Sequence, residues 1–118
     1  MSLNPQAAVD LAVQAAEDKK AADVTVLDIR EVSIIADYFI ICSGRSSTHV
    51  QAIVEHIQEK LAGRGLFPLR REGFREGGWV LLDYGDVVVH VFQEAERRFY
   101  NLERLWGDAR VVGIPANI

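Results

Sequence analysis

The sequence is poor in the residues that build covalent cross-links and membrane spans. It has one cysteine, Cys42, so an intrachain disulfide is impossible. Its longest apolar runs, Tyr38–Cys42 and Val87–Val89, are far too short to cross a bilayer. Residues 1–5 show no basic region followed by an apolar stretch, which a signal peptide would require. We therefore expect a protein without a membrane segment, located in the cytoplasm or its organellar equivalent.

Basic charge is also in short supply. The chain carries 13 Lys and Arg against 17 Asp and Glu, which gives a net charge of −4 at pH 7. A protein held on RNA by its own electrostatics needs a basic face, so this balance disfavours general nucleic-acid binding. Because opposite potentials steer encounter, the acidic balance fits a basic protein partner better.

The chain nevertheless has enough apolar residues for one core. Its 118 residues are close to the size of one domain, and 49% of them are hydrophobic. Helical and strand-like patterns alternate along it without an internal repeat. They predict an α+β fold, in which helices pack over a mixed sheet of about five strands in one layered domain. We place this domain at residues 1–107 and expect an extended tail at 108–118.

Two of the predicted elements have particularly clear patterns. A helix from Ser47 to Ala62 is indicated by apolar residues at helical spacing, namely Val50, Ile53, Val54, Ile57 and Leu61. The run Tyr38–Cys42 is apolar on both faces, which is typical of a central, doubly covered strand. Cys42 could be a nucleophile there, but packing as a small hydrophobe is the favoured interpretation. The other predictions are a helix from Asn4, strands at 24–29, 66–69, 79–84 and 87–92, a flexible loop at 70–78 and a helix at 94–106.

A turn at Ser43–Ser47 could bind an anion, because it follows a buried strand and opens a helix. It lacks the spaced glycines and the Lys of a phosphate-binding loop. A strand-to-helix turn also needs Gly and Ser for ordinary geometry. The ordinary turn is therefore the favoured interpretation.

A second candidate for chemistry is the hairpin at Asp83 and Asp86, with His90 on the returning strand. Two carboxylates and an imidazole could hold a metal ion, as a metal-dependent nucleotidyltransferase would require. Asp and Gly are also the ordinary residues of a tight turn, because they accept unusual backbone angles. We favour the turn and keep the enzyme as the alternative hypothesis.

The strand at 79–84 is apolar on both faces. Alternation places Trp79, Leu81 and Asp83 on one face and Val80, Leu82 and Tyr84 on the other. One face is expected to be core, and the other could meet a partner, since aromatic and Leu side chains beside a charged rim are typical of protein–protein hot spots. Periodicity leaves open whether Trp79 is an exposed anchor or a core residue.

Three segments of the chain resemble the Iojap family, the ribosomal silencing factors. They are Ala36–Gly44 with Ser46–Val50, then Gly78–Phe92, and then Tyr100–Trp106. The similarity runs from about Ala7 to Trp106, and its second block is long and specific. The resemblance implies that the protein binds the large ribosomal subunit through its ribosomal protein fourteen, obstructs a bridge to the small subunit and represses translation when nutrients run short.

The resemblance also implies what the protein does not do. The fold is expected to be nucleotidyltransferase-like but without that activity, and no Asp-x-Asp or Glu-x-Asp pair follows the Ser43–Gly44 turn on a neighbouring strand. The mechanism is steric, with no catalytic residue, cofactor or metal and no direct sequence-specific contact to nucleic acid. Members of the family are often homodimers when unbound. The contact candidates carried over to this chain are Trp79, Leu81, Leu82, Asp83, Tyr84, Arg71 and Tyr100.

Overall fold

One mixed sheet organises the chain in the computed structural model, which describes residues 3–101 and 110–112 except for the side chains of Phe99, Tyr100 and Arg110. The elements are α1 (Pro5–Asp18), β1 (Ala22–Asp28), β2 (Tyr38–Gly44), α2 (Ser47–Ala62), β3 (Arg70–Glu72), β4 (Trp79–Asp83), β5 (Val87–Gln93), α3 (Glu94–Tyr100) and β6 (Arg110–Val111). The six strands of this described part lie in the order β3-β4-β5-β2-β1-β6. The predicted α+β fold with a mixed sheet is confirmed.

The centre of the sheet is a parallel pair, β2 and β5. They pair from Tyr38 with Val87 to Gly44 with Gln93, whereas every other strand pairing described is antiparallel. All seven residues of β2 are buried, as its apolar sequence predicted. Cys42 in this strand has no exposed surface, and burial raises the pKa of its thiol to about 12. It is therefore a packed small hydrophobe and not a thiolate nucleophile.

Both long helices pack on one face of the sheet, which we call the helix face. In α2 the five apolar residues predicted to be buried are at most 1% exposed. The helix begins where the Ser46 hydroxyl accepts a hydrogen bond from the backbone N–H of His49, and it ends at Gly63. Helix α1 begins in the same way at Asn4, with Pro5 in its first turn. Its buried side is mostly alanine, which lets it pack closely against α2.

The other side of the sheet, which we call the opposite face, has a smaller apolar cluster. Its buried members are Leu27, Ile29, Ala36, Phe39, Ile41, Val88 and Phe92, with Trp79 and Leu81 partly buried against them. Helix α3 is joined to the end of this face by Arg97. The Arg97 guanidinium donates to the Ser43 hydroxyl at 2.9 Å and to the Asp23 carbonyl at 2.7 Å.

The edge strand β3 lies further along the sequence than predicted. The strand expected at 66–69 lies instead at Arg70–Glu72, where all three side chains are exposed. Only Leu69 of the expected segment bonds to β4, through its N–H to the Asp83 carbonyl. An edge strand can be polar on both sides, so it carries no alternation that sequence analysis could detect.

The segment predicted as a flexible loop, 70–78, is therefore partly strand, and its remainder is bonded to α2. The Gln51 side-chain amide donates to the carbonyls of Phe74 and Arg75, at 2.8 and 3.2 Å. Gly77 has a positive φ of 69° and lies so close to Ser47 that an added Cβ would sit 2.7 Å from its Cβ.

The sequence predicted two C-terminal elements, a helix at 94–106 and an extended tail at 108–118. The helix predicted at 94–106 is described as α3 through Tyr100, with Asn101 as its left-handed cap. The rest of that prediction, including Trp106, lies outside the described residues. Residues 110 and 111, which the sequence placed in an extended tail, pair with β1 as strand β6.

The helix-face core supplies the first expected outcome. Replacing Ile53 with Ala should lower the free energy of unfolding by roughly 2–5 kcal/mol, because it leaves a cavity among fully buried side chains. Urea unfolding measures the change. The matched control is Ile34→Ala. The relative exposure of Ile34 is 105%, so it is fully exposed, and the substitution should change stability by less than about 0.5 kcal/mol. Equal effects of the two substitutions would contradict the core assignment.

Candidate functional site

The candidate site lies on the hairpin of β4 and β5. Trp79 pairs with Phe92, Leu81 with His90 and Asp83 with Val88. The burial of β4 alternates as predicted, because Val80 and Leu82 are fully buried on the helix face while Trp79, Leu81 and Asp83 are only partly buried on the opposite face. The residues proposed from the sequence are therefore divided between two sides of the sheet.

Two of the predicted contact residues, Leu82 and Tyr84, belong to the helix-face core. Leu82 has no exposed surface and Tyr84 is 5% exposed. Burial raises the pKa of the Tyr84 phenol to about 12, and its hydroxyl has no hydrogen-bond partner among the described residues. Neither side chain therefore offers a surface that a partner could contact. The accessible part of β4 is consequently the row Trp79, Leu81 and Asp83, which we call the β4 row.

Trp79 is neither fully exposed nor fully core. Its ring stacks on Phe92, with centroids 4.9 Å apart and planes 26° apart. Its indole N–H donates to Nδ1 of His90 at 3.1 Å. The rest of the side chain is partly exposed. The alternatives that periodicity left open, anchor or core, are thus combined in one half-buried aromatic residue whose orientation is held from two sides.

Asp83 closes the hairpin at the end of the β4 row. Its Oδ1 accepts a hydrogen bond from the N–H of Gly85 at 2.8 Å, and its Oδ2 lies 3.2 Å from Nε of Arg70. Gly85 has a positive φ of 89°, which glycine adopts without strain. Arg70 also pairs with Glu72 at 2.8 Å, so the exposed charges on this part of the edge alternate in sign.

Of the two weaker candidates, Arg71 does not join the β4 row. Arg71 is on the helix side of β3, where its guanidinium lies 3.9 Å above the Phe74 ring and donates to the side chain of Gln58 at 3.0 Å. It therefore holds the loop against α2. Tyr100 ends α3, and its side chain lies outside the described residues.

Three further apolar side chains are exposed in the connections next to the sheet, and none of them was among the contact residues predicted from the sequence. Phe67 is 65% and Leu69 is 76% exposed, and Ile35 in the connection before β2 is 68% exposed. Leu69 bonds to the Asp83 carbonyl, and the backbone of residues 37 and 38 bonds to Asp86, so these two segments reach the same end of the sheet as the β4–β5 turn. Their sequence signal was weak, because isolated apolar residues beside Pro68 or in a connector have no periodicity.

The alternative of a metal site does not fit this geometry. His90 is 4% exposed and its Nδ1 is already bonded to Trp79, while the carboxylate oxygens of Asp83 are bonded to the Gly85 N–H and to Arg70 on β3. Asp86 contributes its backbone carbonyl to the N–H groups of residues 37 and 38. Across residues 3–101 and 110–112, no three His, Cys, Asp or Glu side chains converge in a way that could hold a metal ion.

The Ser43–Ser47 turn is an ordinary helix start. The Ser46 hydroxyl caps α2, and the N–H of Arg45 is bonded to Nδ1 of His49 at 3.0 Å. The backbone N–H groups of His49 and Arg45, which a phosphate could have used, are thus occupied within the chain.

Within the described part of the chain, no helix is long and apolar enough to span a bilayer.

Comparisons with known proteins give one consistent result. The model of the family described as "Ribosomal silencing factor during starvation" (RsfS) matches residues 2–117. The Ribosomal silencing factor RsfS of Bacillus subtilis is 48% identical over 107 residues, which are 91% of each chain. A crystal structure of a Chromobacterium violaceum protein superposes with a TM-score of 0.87 at 38% identity, covering 89% of this chain and 88% of that one. One from Bacillus halodurans gives 0.83 at 43% identity, covering 92% and 99%.

The burial of His90 has a consequence for the pH dependence of stability. Burial lowers the pKa of His90 from 6.5 to about 4. Between these values the unfolded chain binds a proton that the folded chain does not, so stability is complete above pH 6.5 and falls as the pH is lowered towards 4. We expect His90 to account for roughly 3 kcal/mol of this fall.

Urea unfolding of the wild type and His90→Leu at several pH values isolates this contribution, because all other titrating groups are common to both proteins. The difference between their free energies of unfolding should change between pH 7 and pH 4, to the disadvantage of the wild type. A difference that stays constant over this range would show that folded His90 titrates normally.

Proposed function

Because the chain belongs to the RsfS family of ribosomal silencing factors, we propose that it binds the large ribosomal subunit, blocks its association with the small subunit and thereby represses translation under nutrient limitation. The partner on the subunit is ribosomal protein fourteen. The docking surface is the β4 row, Trp79, Leu81 and Asp83. The mechanism is steric, so no residue of the chain is catalytic and no cofactor takes part.

The observation that carries this proposal is the half-buried Trp79 at the head of the β4 row. Trp is the residue type most enriched among interface hot spots, because it supplies a large contact area with little conformational freedom to lose. Here the ring is already held by Phe92 and His90 before any partner arrives. Leu81 extends the apolar surface, and Asp83 adds a carboxylate at its end.

The charge of the chain agrees with a basic ribosomal partner. A net charge of −4 favours encounter with a positively charged surface. A typical specific interface buries about 800 Å² on each partner, which requires more than three side chains. The exposed apolar residue Leu69, whose backbone N–H donates to the Asp83 carbonyl, adjoins the end of β4 and extends the available surface.

Location and self-association belong to the same proposal. We place the protein in the cytoplasm, where its ribosomal target is, and expect homodimers when ribosomes are absent. The competing function, a metal-dependent nucleotidyltransferase, is less well supported, since Asp83, Asp86 and His90 are engaged in hairpin and aromatic contacts. Calorimetry with Mg²⁺ and each nucleoside triphosphate distinguishes the two, because only the enzyme should give a saturable heat.

The direct test is a subunit-joining assay. Purified large subunits are incubated with the protein, small subunits are added, and sucrose gradients separate joined from free subunits. We expect the protein to comigrate with large subunits and to reduce joined ribosomes in proportion to its occupancy. Comigration with small subunits, or joining at full occupancy, would refute the proposed mechanism.

Substitution of Trp79 by Ala tests the docking surface. Binding to large subunits should weaken by roughly 2–4 kcal/mol, as is typical when a hot-spot aromatic residue is truncated. Stability should fall by less than the roughly 3–5 kcal/mol of a fully buried aromatic residue, because Trp79 is only partly buried. Cosedimentation and urea unfolding measure the two effects.

The control for this substitution is Val54→Ala, which makes a cavity in the helix-face core, on the other side of the sheet from the β4 row. It should destabilise the protein without weakening binding under conditions where it is folded. If Trp79→Ala also leaves binding intact, the docking surface lies elsewhere and the helix bearing Tyr100 becomes the next candidate.

Substitution of Asp83 by Asn tests the electrostatic part. The amide retains an oxygen for the Gly85 N–H but removes the negative charge. We expect association with large subunits to slow by about two- to fivefold at low salt, and this difference to fade as salt screens the charge. Stopped-flow association rates provide the measurement. The matched control is Glu55→Gln on the exposed side of α2, which removes the same charge away from the β4 row and should change the rate less.

A further inference from the structure

His90 is a buried polar side chain on the opposite face of the sheet, surrounded by aromatic rings. It is 4% exposed. The Phe39 ring meets it edge-on with centroids 4.7 Å apart, and the rings of Trp79 and Phe92 lie at 5.9 and 6.3 Å. Burial in this setting keeps the imidazole neutral at physiological pH, because its pKa is lowered to about 4.

The contact with Trp79 determines which nitrogen of His90 carries the proton. An indole N–H can only donate, so Nδ1 of His90 accepts and the proton of the neutral ring lies on Nε2. Nε2 is buried, and within the described residues it has no hydrogen-bond partner. An unpaired buried N–H opposes folding. An apolar side chain of similar volume would therefore serve the core as well as, or better than, histidine.

The hydrogen bond has a clear geometric effect on Trp79. In the β4–β5 register Trp79 is opposite Phe92, and His90 is its diagonal neighbour on the same face. Phe92 supports the flat side of the indole, while His90 holds its N–H edge. Stacking alone would also allow a half-turn of the indole about χ2, which keeps the ring plane over Phe92 but moves the N–H to the other side. The hydrogen bond removes this freedom and so defines which edge of the ring remains exposed.

We propose that His90 is a positioning residue for docking, which holds the indole of Trp79 in the orientation that the ribosomal partner meets. This inference rests on the proposed function, because it concerns the same docking surface. A side chain that is ordered before binding does not lose its freedom on binding, so preorganisation strengthens association without adding a contact to the partner. A group that is unfavourable for the core is thereby useful for recognition.

Two substitutions separate positioning from a merely structural role. Asn places its Oδ1 as many bonds from the backbone as Nδ1 of His, so His90→Asn retains an acceptor for the indole but fills less space. Leu fills the space but accepts no hydrogen bond. We therefore expect His90→Leu to be at least as stable as the wild type at pH 7, and His90→Asn to be the least stable of the three proteins. Docking should follow a different order, with wild type and Asn above Leu.

Binding of both variants to purified large subunits is the decisive measurement. His90→Leu should bind about 3- to 10-fold more weakly than the wild type, the effect expected when one rotamer-rich side chain must be ordered on binding. His90→Asn should remain within about threefold of the wild type, although it is less stable. In a Trp79→Ala background, His90→Leu should have no further effect, because it acts only through Trp79.

An observation on the free protein tests positioning without any partner. The ¹⁵N-bound indole N–H of Trp79, assigned by Trp79→Phe, should exchange slowly with solvent in the wild type and His90→Asn. In His90→Leu it should exchange faster and show a changed shift. Fast exchange of this N–H in the wild type would overturn the inference, regardless of the result of the binding measurements with large subunits.

The outcomes distinguish this inference from the function on which it rests. If Trp79→Ala leaves docking unchanged, the docking surface is wrong and His90 has nothing to position for that partner, so both are rejected. If Trp79→Ala weakens docking but His90→Leu does not, the surface stands and positioning by His90 is overturned. A loss of docking that follows stability, with Asn worse than Leu, would likewise show that His90 acts only in the core.

Discussion

Parallel pairing of β2 with β5 is the constraint on which the rest of the structure depends. Parallel strands cannot be joined by a tight turn, so the chain that leaves β2 at Gly44 has to return to the other end of the sheet before β5 starts at Val87. It does so through α2, β3 and β4. The central pair is buried on both sides, because α1 and α2 cover the helix face and its side chains on the opposite face pack with neighbouring residues into a second apolar cluster.

The surface properties of β4 follow from this arrangement. It lies between the buried β5 and the three-residue edge strand β3. On the helix face α2 buries Val80 and Leu82 completely, whereas on the opposite face the cluster ends at Trp79 and Leu81 and leaves them partly exposed. Aromatic and aliphatic side chains are thus presented to solvent by a strand whose other side is rigid core, which is how precise binding surfaces are usually supported.

The polar groups near this surface are committed to structure and not to chemistry. Asp83 accepts a hydrogen bond from the Gly85 N–H in the turn and pairs with Arg70, and His90 accepts a hydrogen bond from the indole N–H of Trp79. Burial keeps the thiol of Cys42 protonated and the imidazole of His90 neutral, by raising the pKa of the first and lowering that of the second. A site of this kind is suited to recognition by shape and charge, as the proposed steric mechanism requires.

The sequence by itself determined those features that depend on local periodicity and turn chemistry. Helix α2 was predicted from Ser47 to Ala62 with its five buried residues, because the apolar residues on the buried side of an amphipathic helix recur at a fixed spacing in the sequence. The β4–β5 hairpin and its two alternating faces were predicted for the same reason. Only the tertiary structure decided which face of β4 meets α2, since both faces are apolar, and hence that Leu82 and Tyr84 are core while Trp79 and Leu81 reach the surface. It also decided the place of β3, the side on which Arg71 lies and the pairing of β6 with β1, because polar edge strands take their register from a neighbour distant in sequence and not from their own side chains.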